Sequence, residues 1–438
     1  MRRRVYKTAD EFFEQNKSLC TNIEYSENID ILKTELIIQE NVIHNRLVCQ
    51  PMEGCDGTID GKPGELTNRR YMRLASGSAG LIWFEATAVM NEGKANKRQL
   101  YINEKTLDSF KATVELIKET SMRENGYEPI VILQATHSGR YSKPEGKPAP
   151  LIAYNNPIFE KNNPITKTSI VTDEYLDRVG EALIKGAALA ESAGFDGVDI
   201  KCCHRYLNSE LLSAYNREGR YGGNLENRTR LLRESVDGVI NSCSSRFIVT
   251  SRLNAYDGFA HPYGFGVKDN GSLEFYAKEP AWLIGKLYES GVRLINITMG
   301  NPYFNPHVNR PFSVGGYEAP EHPLVGTARI ISVISELKKQ VPKMSFVSSA
   351  MTYLGSVSPN VASAYIEKDL FDLAGFGRMT LAYPDFARDI INKGALDSKK
   401  CCTCCSKCSE IMRSGSTPGC VIHDKDIYLK IYRELFGK

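Results

Sequence analysis

DEYLDRVGEALIKGAALAESAGFDGVDIK, residues 173–201, decides the fold. Its first part spaces apolar residues by three and four and stops at Gly194, a natural helix end. Gly197–Lys201 then reads as a short buried strand. The same unit recurs in both directions. Strand-like runs stand at Leu47–Pro51, Gly80–Ala88, Ile130–Ala135, Phe247–Leu253, Leu294–Thr298, Ser345–Ser349 and Leu373–Gly377, which with Gly197–Lys201 makes eight. Helical patterns lie between them, around 68–76, 106–124, 225–241, 274–290, 326–340, 358–368 and 384–393. Eight strand–helix units predict an α/β fold, a (β/α)8 TIM barrel. An open doubly wound sheet is the competing architecture, but its G-x-G-x-x-G turn occurs nowhere in the chain.

The 438 residues are 42% hydrophobic and 24% charged, which excludes collagen-like and disordered chains. A net charge of +3 with no basic stripe gives no reason to expect nucleic acid as a partner. No apolar run is long enough to span a membrane, and the N-terminus lacks the apolar core of a secretory signal. Arg2, Arg3 and Arg4 read as a solvated tail. Six of the 12 cysteines fall within residues 401–420, which suits a reducing, cytoplasmic setting and one thiolate-bound metal centre rather than a disulfide scaffold. The expected organisation is an extension over 1–35, a barrel over 36–394 and a cysteine segment over 395–438. The connections after strands three to six are long (136–172, 202–224, 254–273, 299–325). In a barrel these share the C-terminal face, so the expected pocket is large.

The stretch Gly194–Leu232 combines G-x-D-G-V-x-I, a polar pair before Tyr206-Leu207, and R-x-G-G-N-L-E-N-R ending at Arg228. Here the chain resembles the old yellow enzyme family of FMN-dependent ene-reductases. Asn45-Arg46 with Pro51-Met52, Gln134 with His137-Ser138-Gly139-Arg140, Arg252, and Gly377-Arg378 with Pro384 extend the likeness in the family's order over roughly residues 31–423.

The resemblance implies FMN and a role for each residue. Arg378, the Gly377 backbone and the strand-seven end at Ala350, Met351 and Thr352 would hold the phosphate. Gln134 would bond the pyrimidine edge, Arg252 would stand near N1, and Pro51, Met52, Glu53 and Ala86 would line the ring. Glu53 departs from the Cys, Thr or His usual there. Lys201 and His204 would bond a substrate carbonyl, and Tyr206 would donate a proton. Tyr303 or His307, in the loop after strand six, would contact substrate.

Cys401, Cys404, Cys408 and Cys420 read C-x2-C-x3-C-x11-C. Four thiolates suit a [4Fe-4S] cluster, one per iron. The spacing resembles the family's iron–sulfur branch, which includes 2,4-dienoyl-CoA reductase, trimethylamine dehydrogenase and gut bacterial bile-acid and steroid reductases. A zinc site of four cysteines competes, and Cys402/Cys405/Cys408 offers a second register. Only 18 residues follow Cys420, so electrons are expected from NAD(P)H directly or from a partner protein or carrier.

The reading is therefore an enzyme that reduces a C=C bond conjugated to a carbonyl, in a 3-oxo-steroid, bile-acid intermediate or enoate. An amine or demethylating dehydrogenase of the trimethylamine dehydrogenase type and a flavin-binding electron-transfer subunit are the alternatives. A homo-oligomer is compatible with all three.

Overall fold

Parallel strands covered on both faces must be short and apolar throughout, and the eight predicted runs build such a sheet. The computed structural model describes residues 5–161 and 164–437; the Arg2–Arg4 tail lies outside them. Among the described residues the strands are β1 (Leu47–Cys49), β2 (Leu81–Ala88), β3 (Ile130–Thr136), β4 (Gly197–Ile200), β5 (Ile248–Asn254), β6 (Leu294–Thr298), β7 (Ser345–Val347) and β8 (Ala374–Phe376). All pair in parallel, in chain order from β1 to β7, with β8 beside β1. Val347 also bridges Leu373, and the Ser348 N–H donates to the Leu373 carbonyl at 2.8 Å. The sheet therefore closes into a barrel. The principal outer helices are Glu65–Ser76, Leu107–Asn125, Asp173–Ser192, Arg230–Ser242, Lys278–Ser290, Pro323–Gln340, Ser358–Glu367 and Phe386–Lys393.

Several strands end earlier than the sequence suggests. Pro51, Ser349 and Gly377 have left the ladder and line the barrel mouth instead. Proline has no N–H to give a ladder, so β1 could not have continued through Pro51 unbroken.

The period-two alternation sorts each strand into two cores. Val48, Leu81, Trp83, Ile130, Ile132, Ile248, Leu294 and Val347 form one apolar cluster. Their neighbours Leu47, Cys49, Ile82, Phe84, Val131, Leu133, Val249, Ile295 and Phe346 pack in the other, with the helices. A hairpin of two three-residue strands, Leu36–Ile38 and Asn41–Ile43, adds Ile38 and Ile43 to the first cluster. It plugs the barrel rather than joining its wall, so the start of the predicted barrel region is a lid on its floor. Of the expected extension, described residues 5–35 are helical only in part, at Ala9–Ser18 and the short turn Asp30–Lys33.

Higher up, the same alternation turns polar. Ile132 is followed at the next such position by Gln134, Ile248 leads two steps on to Arg252, and Leu294 to Asn296. Between β2 and β3 the register slips between Phe84 and Ala86. This bulge leaves Glu85 unpaired in the ladder and puts Ala86 opposite Gln134. It frees the Glu85 carboxylate to reach the loop after β1.

Candidate functional site

A cavity of about 1120 Å³ opens at the C-terminal ends of the strands. Of the sequence-predicted residues, Pro51, Met52, Glu53, Ala86, Gln134, Lys201, His204, Tyr206, Arg252, Tyr303, Ala350, Gly377 and Arg378 line it. Met351 and His307 do not. Met351 is fully buried in the helix-side core, because the chain turns at Ala350 (φ 71°) into the 3-10 segment Met351–Val357. His307 turns its Nδ1 to the Tyr317 hydroxyl, 2.5 Å away.

The polar floor is organised by Asp199, which sequence reasoning missed. Its Oδ2 accepts from Trp83 Nε1 at 2.8 Å and from Gln134 Nε2 at 2.6 Å, and its Oδ1 accepts from the Arg252 backbone N–H at 2.6 Å. The Gln134 amide is thereby oriented, its nitrogen committed to Asp199 and its carbonyl left for the cavity. Arg252 is half-buried in this floor, and its buried Nε has no partner. Burial lowers its pKa while Cys203 and Asp199 raise it.

One end of the cavity is an anion cradle. Ser349, Ala350, Thr352, Gly377 and two guanidinium groups, Arg310 and Arg378, line it. Arg378 Nη2 donates to the Pro311 carbonyl at 2.7 Å, and its Nη1 is buried without a partner. Burial, with Arg378 beside it, lowers Arg310 to about 10. Two adjacent cations, Arg378 buried and Arg310 half-buried, with an unmet donor call for a multivalent anion. Arg310 escaped the sequence reading because its loop has no periodicity.

On the reacting side, Lys201 Nζ lies 3.8 Å from the Tyr206 ring centroid. The Tyr206 hydroxyl is 3.0 Å from that of Tyr303, whose ring stacks on Tyr141 at 4.0 Å. Asn309 Nδ2 faces His204 Nε2 at 3.2 Å. Burial, with Arg252 and Lys201 nearby, holds His204 well below the usual imidazole range, so it is neutral near pH 7. Burial also lowers Lys201, which Cys203 and Glu53 counteract.

His204 and Arg205 both adopt left-handed backbone (φ 65° and 59°), a conformation that is unfavourable without glycine. A fully buried Arg205 fixes it by pairing with Asp257 at 2.9 Å and bonding the Tyr154 hydroxyl at 3.1 Å. The loop after β1 is fixed in a similar way. Glu85 Oε2 accepts from the Gly54 N–H at 2.7 Å, and Arg70 binds both Glu85 and Asp56. A Cβ at position 54 would lie 2.2 Å from Arg70 Nη2, so any side chain there would push the guanidinium off its two carboxylates.

The cysteine segment covers this end of the barrel. Asp424 pairs with Arg69 at 2.8 Å and with Arg73, and the Thr417 hydroxyl donates to the Cys55 carbonyl at 3.1 Å. A second cavity of about 320 Å³ is lined by Cys402, Cys405, Cys408 and Cys420, with Arg378 and Leu381. Cys408, Arg378 and Leu381 border the main cavity as well. Of the sequence-predicted quartet, Cys408 and Cys420 line this space; Cys404 does not, but its thiol lies against Cys402 with Arg378, Cys405 and Cys408 nearby. The Cys401 thiol is turned away, 3.5 Å from the Asp397 carbonyl. Backbone N–H groups instead donate to Cys402 Sγ (from Cys404) and Cys420 Sγ (from His423), each at 3.4 Å. Among the described residues, no three His, Cys, Asp or Glu side chains converge as a single-ion site. Tetrahedral zinc needs such convergence; a cubane puts one thiolate on each iron at its corners.

The NADH:flavin oxidoreductase / NADH oxidase family profile matches residues 35–272. NADPH dehydrogenase of Geobacillus sp. (strain WCH70) is 34% identical over 263 residues, covering 59% of this chain and 69% of that protein. Among solved structures, a 2-naphthoyl-CoA reductase in complex with 2-naphthoyl-CoA superposes with a TM-score of 0.73 at 18% identity, covering 92% of this chain and 58% of that one. Histamine dehydrogenase from Rhizobium sp. 4-9 gives 0.69 at 17% identity, covering 91% and 53%. The chain therefore spans little more than half of those two proteins, and at such identities the likeness is one of fold. Among the described residues no helix is long and apolar enough to cross a membrane.

Proposed function

The chain belongs to the NADH:flavin oxidoreductase / NADH oxidase family, the old yellow enzyme family its motifs resemble, and from that premise we propose that it is an FMN-dependent ene-reductase acting on a bulky enone or enoate. The observation that carries this is the joint placement of Lys201, His204 and Tyr206 on the cavity whose floor is Gln134 and Arg252 and whose end is Arg310 and Arg378. The donor set fits FMN. Arg378, Arg310 and Thr352 would hold its phosphate, Gln134 its pyrimidine edge and Arg252 its N1 side. When bound, FMN supplies the hydride that adds to Cβ of the substrate.

The chain's own residues do the rest. Lys201 and the neutral His204 bind the carbonyl oxygen and stabilise the negative charge that grows there. Tyr206 holds the proton delivered to Cα, with the Lys201 ammonium over its ring to favour its loss. Pro302, Tyr303 and Pro311 cover the mouth with apolar surface and exclude water. Lys201 disfavours a cationic amine as substrate, which argues against the dehydrogenase alternative. The test is an anaerobic titration. Dithionite-reduced protein is expected to be reoxidised by conjugated enones, and the oxidised protein to resist reduction by amines. Reduction by an amine, with no reoxidation by any enone, would reverse the assignment.

We infer further that the cysteine segment carries a [4Fe-4S] cluster, held by Cys402, Cys405, Cys408 and Cys420 rather than by Cys401 and Cys404. The shared cavity and the N–H donor aimed at Cys402 support this register, Cys408 and Cys420 being common to both. When bound, such a cluster relays single electrons, and Cys408 would bring it to the edge of the flavin cavity. The donor is then a partner protein or carrier, with NAD(P)H over FMN as the other route. Reconstituted C402S and C405S are expected to lose iron and sulfide, while C401S and C404S keep the wild-type content. The opposite pattern would restore the first register.

The role of Asp199 can be tested in the same cavity. D199N keeps one acceptor oxygen but puts an NH2 where the other accepts, so either the Arg252 N–H or the Trp83–Gln134 pair loses its acceptor and the Gln134 amide is no longer held in place. The expected cost is about 1–3 kcal/mol, read as a roughly 5- to 150-fold weaker FMN dissociation constant by fluorescence titration.

A further inference from the structure

We propose that Glu53 returns the proton that Tyr206 gives up, so that delivery to substrate runs through a two-step relay from cavity water to Glu53 to Tyr206. This rests on the reading of Tyr206 as proton donor.

Tyr206 is only 2% exposed. Its hydroxyl faces the Tyr303 hydroxyl at 3.0 Å and the Glu53 carboxyl. Burial, with Tyr303 and Glu53 beside it, pushes Tyr206 well above the usual 10. A phenolate left there must be reprotonated at once, and bulk water does not reach it. Tyr303 is 38% exposed at the mouth, but a phenol, with a pKa of about 10, is a poor proton source at neutral pH.

Glu53 is the carboxylic acid beside Tyr206, half-buried at the cavity wall, whereas the Lys201 ammonium lies over the ring face rather than at the hydroxyl. Its surroundings tune it. Burial raises its pKa to about 7, with Glu85 of β2 adding to the rise; Lys201 after β4, Asn96 and Tyr206 oppose it. Asn96 Nδ2 donates to Oε1 at 3.0 Å. Cys55 of its own loop lies 4.0 Å from the same oxygen, and Arg70 stands behind Glu85. A carboxyl near 7 is both charged and protonated at neutral pH, as a group that must give and regain a proton needs to be. An ordinary glutamate would be almost wholly ionised. The loop is rigid at this point through the Gly54 N–H to Glu85 bond.

The step balances in protons and moves no electrons. The Tyr206 O–H bond breaks as the Cα–H bond forms. The phenolate oxygen takes the Glu53 proton, and the carboxylate takes one from cavity water.

The experiment compares wild type, E53Q and E53D. In multiple turnover with excess reductant and enone, the wild-type rate is expected to fall about tenfold per pH unit above about pH 7, because ionised Glu53 no longer refills Tyr206 between turnovers. E53Q is expected to be at least about tenfold slower at pH 6 and flat with pH, and E53D to regain a pH-dependent rate. A second readout uses flavin-free protein. A folded pKa raised from 4.5 to about 7 stabilises the protonated protein. Wild type should therefore lose thermal midpoint relative to E53Q as pH rises from about 4.5 to 7 and stay level above it. An E53Q with the wild-type rate and pH profile, or a midpoint difference flat across that window, overturns the relay alone. Failure of wild type to react with any enone overturns the ene-reductase reading and the relay together.

Discussion

Tyr206→Phe is expected to slow enone-driven reoxidation of the flavin about 10²–10⁴-fold, the usual contribution of a positioned general acid. Loading with FMN and reduction by dithionite should be unchanged. The substitution removes one oxygen and little else. The ring that Lys201 covers at 3.8 Å remains, and so does the start of the short helix Leu207–Leu211. What is lost is the hydroxyl that meets Tyr303 at 3.0 Å. A stability change of about 1 kcal/mol accompanies that bond, far less than the expected kinetic effect of about 3–5 kcal/mol in barrier. Stopped-flow spectroscopy separates the two half-reactions. Y206F that reduces normally but reoxidises slowly places the hydroxyl in the proton step; a parallel loss in both would mean that the ring only shapes the cavity.

Arg70→Met is expected to destabilise the fold by about 3–5 kcal/mol, the cost of breaking a buried ion pair by removing one partner. Arg70 is 7% exposed and lies between two carboxylates, Asp56 and Glu85, that are almost fully buried. Methionine fills similar space but leaves both acids uncompensated. Asp56 is raised by burial but held below its ordinary value overall, chiefly by Arg70. Its stabilising contribution is present above the unfolded carboxylate range and is lost as pH falls through the lowered value. In the variant both acids are released from Arg70 and protonate more readily. The gap between wild type and R70M should thus narrow as pH falls from 7 towards 5. Guanidinium unfolding at the two pH values measures this. The same change frees Glu85 from its anchor, so the Glu53 loop should loosen and flavin affinity should fall with stability.

The barrel is legible in the chain because every wall strand is a short apolar run next to a helical pattern, and residues 173–201 show the unit whole. The plug is not legible, since strands of three residues carry no period. Nor is the bulge at Glu85. Continuous alternation through LIWFEATA hides the one residue that leaves the ladder, and with it the anchor of the loop after β1. Motif positions such as Gln134, Arg252 and Arg378 could be placed by resemblance. Asp199 could have been found from its polar side chain within an otherwise apolar strand. Arg310 and Asn309 sit in NPHVNRP, where only tertiary folding brings them to Arg378 and His204. His307 in the same run is the counterexample, a conspicuous residue that folding turns away to Tyr317. In the cysteine cluster, spacing alone leaves two registers, because six thiols within 20 residues supply both. The shared cavity and the N–H directed at Cys402 are the grounds on which the second register is proposed.

The most direct measurement is flavin stoichiometry. Purified or reconstituted protein is denatured, and the released flavin is identified and counted per chain. About one FMN per chain, falling sharply when Arg378 and Arg310 are both replaced by Ala, is the predicted result, since two guanidinium groups frame the anion end of the cavity. A colourless protein that takes up no FMN on reconstitution, or one that holds FMN equally well without both arginines, would contradict the account.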